Sequence, residues 1–529
     1  MPIGYDPLAI PQFQMLTREQ CEITHRASLE ILRRTGVRVY HDVALELLRE
    51  TDAVITDGNA SAGLRRAPRP ELGTKAQSSR SAVALVHLPA GLVEWALKQA
   101  PSRIVLCKRG SSEVAALLEG RTVNFGPGSD CLNYLDPRSG ERRKFTTADV
   151  VDCLHVCDAL PEIAFVMSMG IPSTGTSASS VEPLRAGPAD PSGLSPSGRS
   201  LDAANVYRQQ YALMLEHSSK PVVFVADDRA DCEAIVAMAA AAAGGMEQLR
   251  LNPTLLLYSE PTTPLQHSQT ATGKLLYMAE QRLPIVHSPA PMMGGTAPVT
   301  LAGGLALGNA EVLSSLVIHQ LQWPGAPFVY GSGLHDMDMK TTISVYGAPE
   351  FQLARVAVAE MGRFYGLPTW GYAAHSDSCL MDEQAAADVA FSVLVALLAG
   401  HNLVHDVGYL EAGLTTSPEM IVFTAEVISM MRRFVEGFSL DAEALALEVI
   451  HQVGPGGDFL TAKHTLRHFR ELWQPTLWDR QRADAWMAAG GKRLGDRLRD
   501  KTVSLMESHH PEPLPDAVRQ EIAYILKQK

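Results

Sequence analysis

The sequence predicts an α/β protein, a (β/α)8 TIM barrel with helical extensions at both ends, and three observations carry that prediction. Eight short apolar runs recur, at residues 122–125, 165–171, 221–226, 253–258, 284–288, 327–330, 368–373 and 402–406. Each is continuous rather than alternating, as strands buried on both faces require. Helical stretches separate most of them, for example 300–322 and 348–365. Five of the eight open with proline, which suits the first residue of a strand after a short loop. Eight βα units in series close into a barrel, with an open doubly wound sheet as the alternative.

The flanks read differently. Residues 1–115 form an N-terminal helical region: Thr17 precedes a stretch with Ile23, Ala27, Ile31 at helical spacing, and further helices cover 43–50 and 89–99. The barrel occupies 116–437, and 438–529 is a C-terminal helical region with a charged end. Two segments, 59–81 and 173–199, are rich in Ser, Pro and Gly and read as solvated loops. The whole chain is 529 residues with a net charge of −12, so an acidic surface argues against nucleic acid. Seven widely spread Cys do not form a secreted disulfide framework. The N-terminus lacks a signal-peptide pattern, and no apolar run reaches the ~18 residues a membrane span needs. A cytoplasmic protein without membrane contact is the expectation.

In a barrel of this kind chemistry collects where strands finish. The strand ends carry Asp130, Glu260, His287, His335, Asp336, His375, Asp377, His405 and Asp406. A Schiff-base aldolase needs a lysine there, yet Lys220 precedes its strand, Lys274 sits in a helix and Lys340 lies past the sixth strand. A thiol-activating zinc centre needs close-spaced cysteines, which Cys131 and Cys379 do not supply. A metal-dependent hydrolase or lyase using His335, Asp336, His375, Asp377, His405 and Asp406 stays open as an alternative. What stands out is the aromatic density at the mouth: Tyr258, Tyr330, Trp370, Tyr372 and Tyr409, in a chain only 6% aromatic. Ring faces attract a quaternary ammonium, each good contact contributing about 0.5–2 kcal/mol.

Six segments resemble the trimethylamine methyltransferase family. They are Met292-Met-Gly-Gly-Thr-Ala-Pro, His335-Asp-Met-Asp-Met-Lys, Tyr346-Gly-Ala-Pro-Glu, Ser376-Asp-Ser-Cys-Leu-Met-Asp-Glu-Gln-Ala-Ala, Leu410-Glu-Ala-Gly-Leu-Thr and His468-Phe-Arg-Glu-Leu-Trp. The resemblance runs from Leu16 to the end, the two inserts apart. It implies a barrel that moves a methyl group from an amine to the Co(I) corrinoid (cobalamin) of a separate cognate protein, with no tightly bound cofactor or metal of its own, and a homo-oligomer. Archaeal members carry pyrrolysine, whose imine is proposed to form an adduct with a tertiary amine; by the resemblance this chain has Glu383 there. A carboxylate forms no such adduct, so the resemblance implies a substrate that is already quaternary, glycine betaine or a related betaine. On this reading Tyr330, Trp370 and Tyr372 frame the ammonium, Tyr258 is a further substrate-binding residue, Glu383 or Asp377 balances the charge, and His335 and His375 bind the carboxylate. A non-catalytic betaine-binding homologue is the further alternative.

Overall fold

The structure is a computed structural model and describes residues 8–11, 13–57, 83–172 and 206–528. The two loops read at 59–81 and 173–199 lie outside the described residues.

Of the eight predicted strands, seven form one curled parallel sheet and the other, second along the chain, is an extended segment bridged into it. They are β1 (Asn124–Pro127), β2 (163–170), β3 (Val222–Phe224), β4 (Leu255–Ser259), β5 (Ile285–His287), β6 (Phe328–Gly331), β7 (Thr369–Tyr372) and β8 (Leu403–Val407). Strands β3 to β8 and then β1 pair in sequence, every pair parallel. The irregular β2 closes the ring through single bridges, Phe125 to Ile163 on one side and Val166 to Val222 on the other.

Three helices precede the barrel: α1 (Arg18–Arg34), α2 (Asp42–Arg49) and α3 (Ala90–Gln99). Thr17 caps α1 by accepting from the Gln20 backbone N–H, while the Gln20 side chain accepts from the Thr17 N–H, the reciprocal arrangement that satisfies two otherwise orphaned donors. Between the strands run α4 (Thr147–Ala159), α5 (Val206–His217), α6 (Arg229–Ala243) with α7 (Met246–Leu251), α8 (Gln269–Gln281), α9 (Leu301–Gln322), α10 (Pro349–Phe364) and α11 (Glu383–Ala399). Helix α12 (Pro418–Val435) follows β8 and completes the outer ring. Beyond it lie α13 (Ala442–Leu445), α14 (Leu447–Val453), α15 (Lys463–His468), α16 (Ala483–Ala488), α17 (Leu494–Ser508) and α18 (Asp516–Lys527).

The stretch before the barrel is not wholly helical, a correction to the sequence reading. Strands at Val37–Val39, Val54–Asp57 and Ala84–His87 form an antiparallel sheet, and Ile104–Cys107 pairs with Val114–Leu118 in a hairpin. Apolar runs of three to five residues cannot be told from helix segments by periodicity. The hairpin has a positional use: Ile104, Leu106, Ala116 and Leu118 pack with the inward side chains of the barrel and plug its base.

Helix α9 is long and apolar enough to cross a membrane by length and composition, contrary to the sequence expectation of no such run, yet 83% of that window is buried inside the protein. Its buried Asn309, Glu311 and Gln320 bond to neighbouring elements, which marks it as a core helix.

Candidate functional site

Side chains alternate across a strand, and that alternation sorts the predicted residues. On β4, Leu255 and Leu257 pack outward on the helix layer, while Leu256 and Tyr258 face the barrel interior. On β7 the interior residues are Trp370 and Tyr372, and on β8 Leu403 faces inward with His405 two residues on. The four rings meet at the mouth. Trp370 lies 4.5 Å from His405 and 5.4 Å from Tyr258 between ring centroids, and Tyr372 lies 4.3 Å from His405. Trp370 is wholly buried and lies deepest in the cluster; His405 and Tyr372 are buried as well, and Tyr258 is half-buried.

The same rule removes Tyr330, which the sequence placed in the cage. On β6, Val329 faces inward and Tyr330 outward, so its hydroxyl donates to Asn309 Oδ1 at 2.7 Å and its ring packs on Tyr365. Tyr409 is likewise structural: its hydroxyl donates to the Ser129 carbonyl. That contact is why residue 128 is glycine, since a Cβ there would lie 2.1 Å from the Tyr409 oxygen.

The carboxylate set against the rings is Glu260, not Glu383. The Tyr258 hydroxyl donates to Glu260 Oε1. Glu260 is reachable by solvent on the inner wall of the mouth, yet protein surrounds it, and that desolvation raises its pKa; the Tyr258 hydrogen bond opposes the rise, Asp130 adds to it, and Lys274 opposes it. Glu383 is exposed in the first turn of α11, behind the capping Asp382 whose side chain accepts from the Ala385 N–H. A glutamate there gains from the helix N-terminus and needs no other role.

Asp377 does not face the cage as an unengaged charge either. Its two oxygens accept from the Tyr346 and Gly347 N–H groups, both at 2.8 Å, and so hold Tyr346 over the mouth. His375 lies beneath that lid, fully buried against Tyr346 and Phe351, with Nδ1 3.3 Å from Asp406. Asp406 reaches His405 Nδ1 as well, at 3.2 Å. Burial pushes the His405 pKa down to about 4 against the pull of Asp406, so the ring facing the cluster is neutral at pH 7. His335 stands on the loop after β6 with Nδ1 2.7 Å from the Gly333 carbonyl, and burial lowers its pKa too. A neutral ring that donates from Nδ1 offers only a lone pair at Nε2, so it cannot bind a carboxylate in the way the sequence suggested.

Arg355 is the residue the sequence reading missed beside Glu260. It rises from α10, wholly buried, and donates to the carbonyls of Ser332 and Leu334, fixing the loop that carries His335. Its guanidinium stacks 4.5 Å from the Phe351 ring and 4.7 Å from that of Tyr372, and burial lowers its pKa to about 10, which leaves it charged. The signal was present: Phe351 and Arg355 are four apart, on one face of a helix.

Backbone strain collects at the same place. Asp130, Met169, Ala374 and Asp406, at or just past the ends of β1, β2, β7 and β8, all have φ between 64° and 84° without being glycine. Such residues persist where the surroundings over-determine them, and they gather at functional sites.

Lys220, Lys274 and Cys131 are otherwise engaged, while Cys379 is exposed. Lys220 donates to the Cys157 and Leu160 carbonyls at the base, and Lys274 to that of Ala226. Burial pushes the Cys131 thiol up, and its Sγ donates to the Gly413 carbonyl. Among the described residues, the one group of three ligand-type side chains with atoms within 4.8 Å is Glu443, His464 and His468, which lies after α12 and not at the mouth.

Comparison with known proteins agrees with the motifs. The family model for trimethylamine methyltransferase (MTTB) matches residues 7–175 and 201–529. A trimethylamine methyltransferase MttB of Desulfitobacterium hafniense is 31% identical over 96% of this chain and 92% of its own. A glycine betaine methyltransferase of Desulfitobacterium hafniense is 29% identical, covering 98% of both chains. The solved monomethylamine methyltransferase of Methanosarcina barkeri aligns with a TM-score of 0.49 and 13% identity, over 93% of this chain and 89% of that one. With a family model spanning nearly its whole length, this chain belongs to the trimethylamine methyltransferase family.

Proposed function

We propose that this protein transfers a methyl group from a quaternary amine, glycine betaine or a related betaine, to the Co(I) corrinoid of a cognate partner protein. The observation that carries the reading is the meeting of Tyr258, Tyr372 and His405 over Trp370, with the Glu260 carboxylate hydrogen-bonded to Tyr258. A quaternary ammonium has no N–H to donate, so hydrogen bonds cannot select it; ring faces and one negative charge can. Tyr258 holds the carboxylate in place, and the Tyr372 hydroxyl is itself fixed by Ser288 at 2.9 Å.

The chemistry asks little acid–base work of the protein. When the methyl–nitrogen bond breaks its electron pair stays on nitrogen, and the amine leaves neutral, so no proton is required. The corrinoid supplies the nucleophile. The chain's share is to desolvate the cation and hold one methyl pointing out of the barrel, a positioning effect that contributes several kcal/mol. Glu383, standing by resemblance where pyrrolysine-containing relatives carry an imine, goes with a substrate that needs no activation.

An acceptor carried on a protein must be received at the rim. Val299, Met339, Ile343, Leu380 and Leu414 are exposed there, on the loops that follow β5, β6, β7 and β8. Large apolar side chains exposed on the loops at the barrel mouth suit a docking protein. Seven free cysteines, six of them buried, go with a reducing cytoplasm.

The test is to mix the protein with chemically reduced cobalamin and follow the loss of the Co(I) spectrum. Glycine betaine or another betaine should discharge it, and Glu260→Gln should slow that at least tenfold. Discharge by trimethylamine but by no quaternary compound would overturn the assignment.

A further inference from the structure

The segment from 440 to 472 is built inside out. It leaves the barrel base at the end of α12 and rejoins the body at Trp473, whose indole donates to Ser429 on that helix. None of its three helices, α13, α14 or α15, has a buried residue. Its polar groups are instead satisfied within the segment: Glu443 meets Arg467 at 2.7 Å and His468 at 3.2 Å, His464 contacts the Glu443 carbonyl at 3.0 Å, and His468 meets Glu471 at 2.5 Å. Its large apolar side chains face outward. Leu447, Ile450, Leu460, Leu466 and Leu472 are 52–85% exposed.

That surface does not stop at the segment. Next to Leu472 and Trp473 opens a cavity of about 650 Å³ with Ile10, Phe434 and Phe438 on its walls, and all three of these are exposed as well. At ~150–250 Å² for a large side chain, the exposed fractions amount to roughly 800 Å² of apolar surface. The largest patch on an ordinary monomer is about 300–600 Å². Each partner in a stable complex contributes about 800 Å².

We infer that residues 440–472, with the adjoining groove of Ile10, Phe434 and Phe438, form the interface with a second copy of this chain. Three features choose that occupant. The segment has no core of its own, so its cover must be present whenever the chain is folded, which a second copy guarantees. The apolar projection and the apolar groove lie side by side on one molecule, so two copies related by a two-fold axis can each seat a segment in the other's groove. And the surface is at the base of the barrel, where pairing leaves both mouths open.

The test is the mass of the full-length protein in solution at micromolar concentration, by sedimentation velocity or light scattering. The expected result is a multiple of the 57.2 kDa chain mass, reduced to a single chain by Leu460→Asp with Leu466→Asp, the circular dichroism spectrum unchanged. Leu447→Asp with Ile450→Asp gives the same answer on a second helix should the first pair unfold. A monomeric wild type, or an oligomer that neither pair dissociates, overturns the inference; so does a stoichiometric foreign protein bound to this face on an otherwise monomeric chain.

Discussion

Two regions of this molecule expose large apolar side chains, and they are supported in opposite ways. At the barrel rim, Met339, Ile343 and Leu380 ride on loops pinned by buried or half-buried polar groups: Arg355 to the Ser332 and Leu334 carbonyls, Asp377 to the Tyr346 and Gly347 amides, Ser376 to Asp388 at 2.7 Å. Those loops keep their shape uncovered. Residues 440–472 have one comparable tie, Arg433 of α12 donating to the Glu471 carbonyl at 2.9 Å at the segment's end, and the helices themselves have no buried side chain. A rim that stands alone suits a partner that comes and goes. A segment that does not suits one that stays.

The largest effect should come from breaking the permanent surface. Leu460→Asp with Leu466→Asp is expected to convert the oligomer wholly to single chains, read by mass. The rim should behave otherwise: Met339→Asp with Leu380→Asp should leave mass and betaine binding unchanged while cutting the methyl-transfer rate to the partner protein tenfold or more. An equal loss with free cobalamin as acceptor would show that the rim acts on the substrate and not on docking.

Inside the mouth, Glu260→Gln should weaken glycine betaine binding about tenfold with no loss of thermal stability, since a solvent-reachable carboxylate is replaced by a near-isostere. The pH dependence follows from the direction of its shift. A carboxyl whose pKa is raised stays protonated, and so uncharged, to a higher pH than usual. Cation binding should therefore strengthen as pH rises through a midpoint above the ordinary 4.5, with Asp130, Tyr258 and Lys274 the groups that set it. The Gln variant should lose that dependence; a variant that kept it would move the titration to another residue.

The smallest effect sharpens the division between the two faces of the barrel strands. Tyr330→Phe leaves the buried Asn309 oxygen without its donor, which costs about 1–3 kcal/mol of stability. Betaine affinity should not change. A shift in affinity would put Tyr330 back in contact with substrate.

The barrel was legible because eight continuous apolar runs separated by helices favour a closed parallel ring over the open doubly wound sheet. Which aromatics converge was less so. Strand register sets it, and a shift of one residue exchanges the faces: Trp370 and Tyr330 look alike at a strand end, yet one floors the site and the other braces a helix. Glu260 was in plain view two residues after Tyr258. Arg355 was hidden because it reaches the mouth from a helix, and strand ends alone do not point to it. His375 and Asp377 follow β7 as the sequence order implies, but their contacts depend on partners at 346, 347 and 406 that only the fold brings near.

The central claim, that the ring cluster with Glu260 holds a quaternary cation, is tested most directly by calorimetric titration with glycine betaine, proline betaine, carnitine and trimethylamine in parallel. At least one quaternary compound should bind, trimethylamine should bind far more weakly, and Glu260→Gln should remove most of the difference. Preference for trimethylamine, or quaternary binding untouched by the Gln variant, would contradict it.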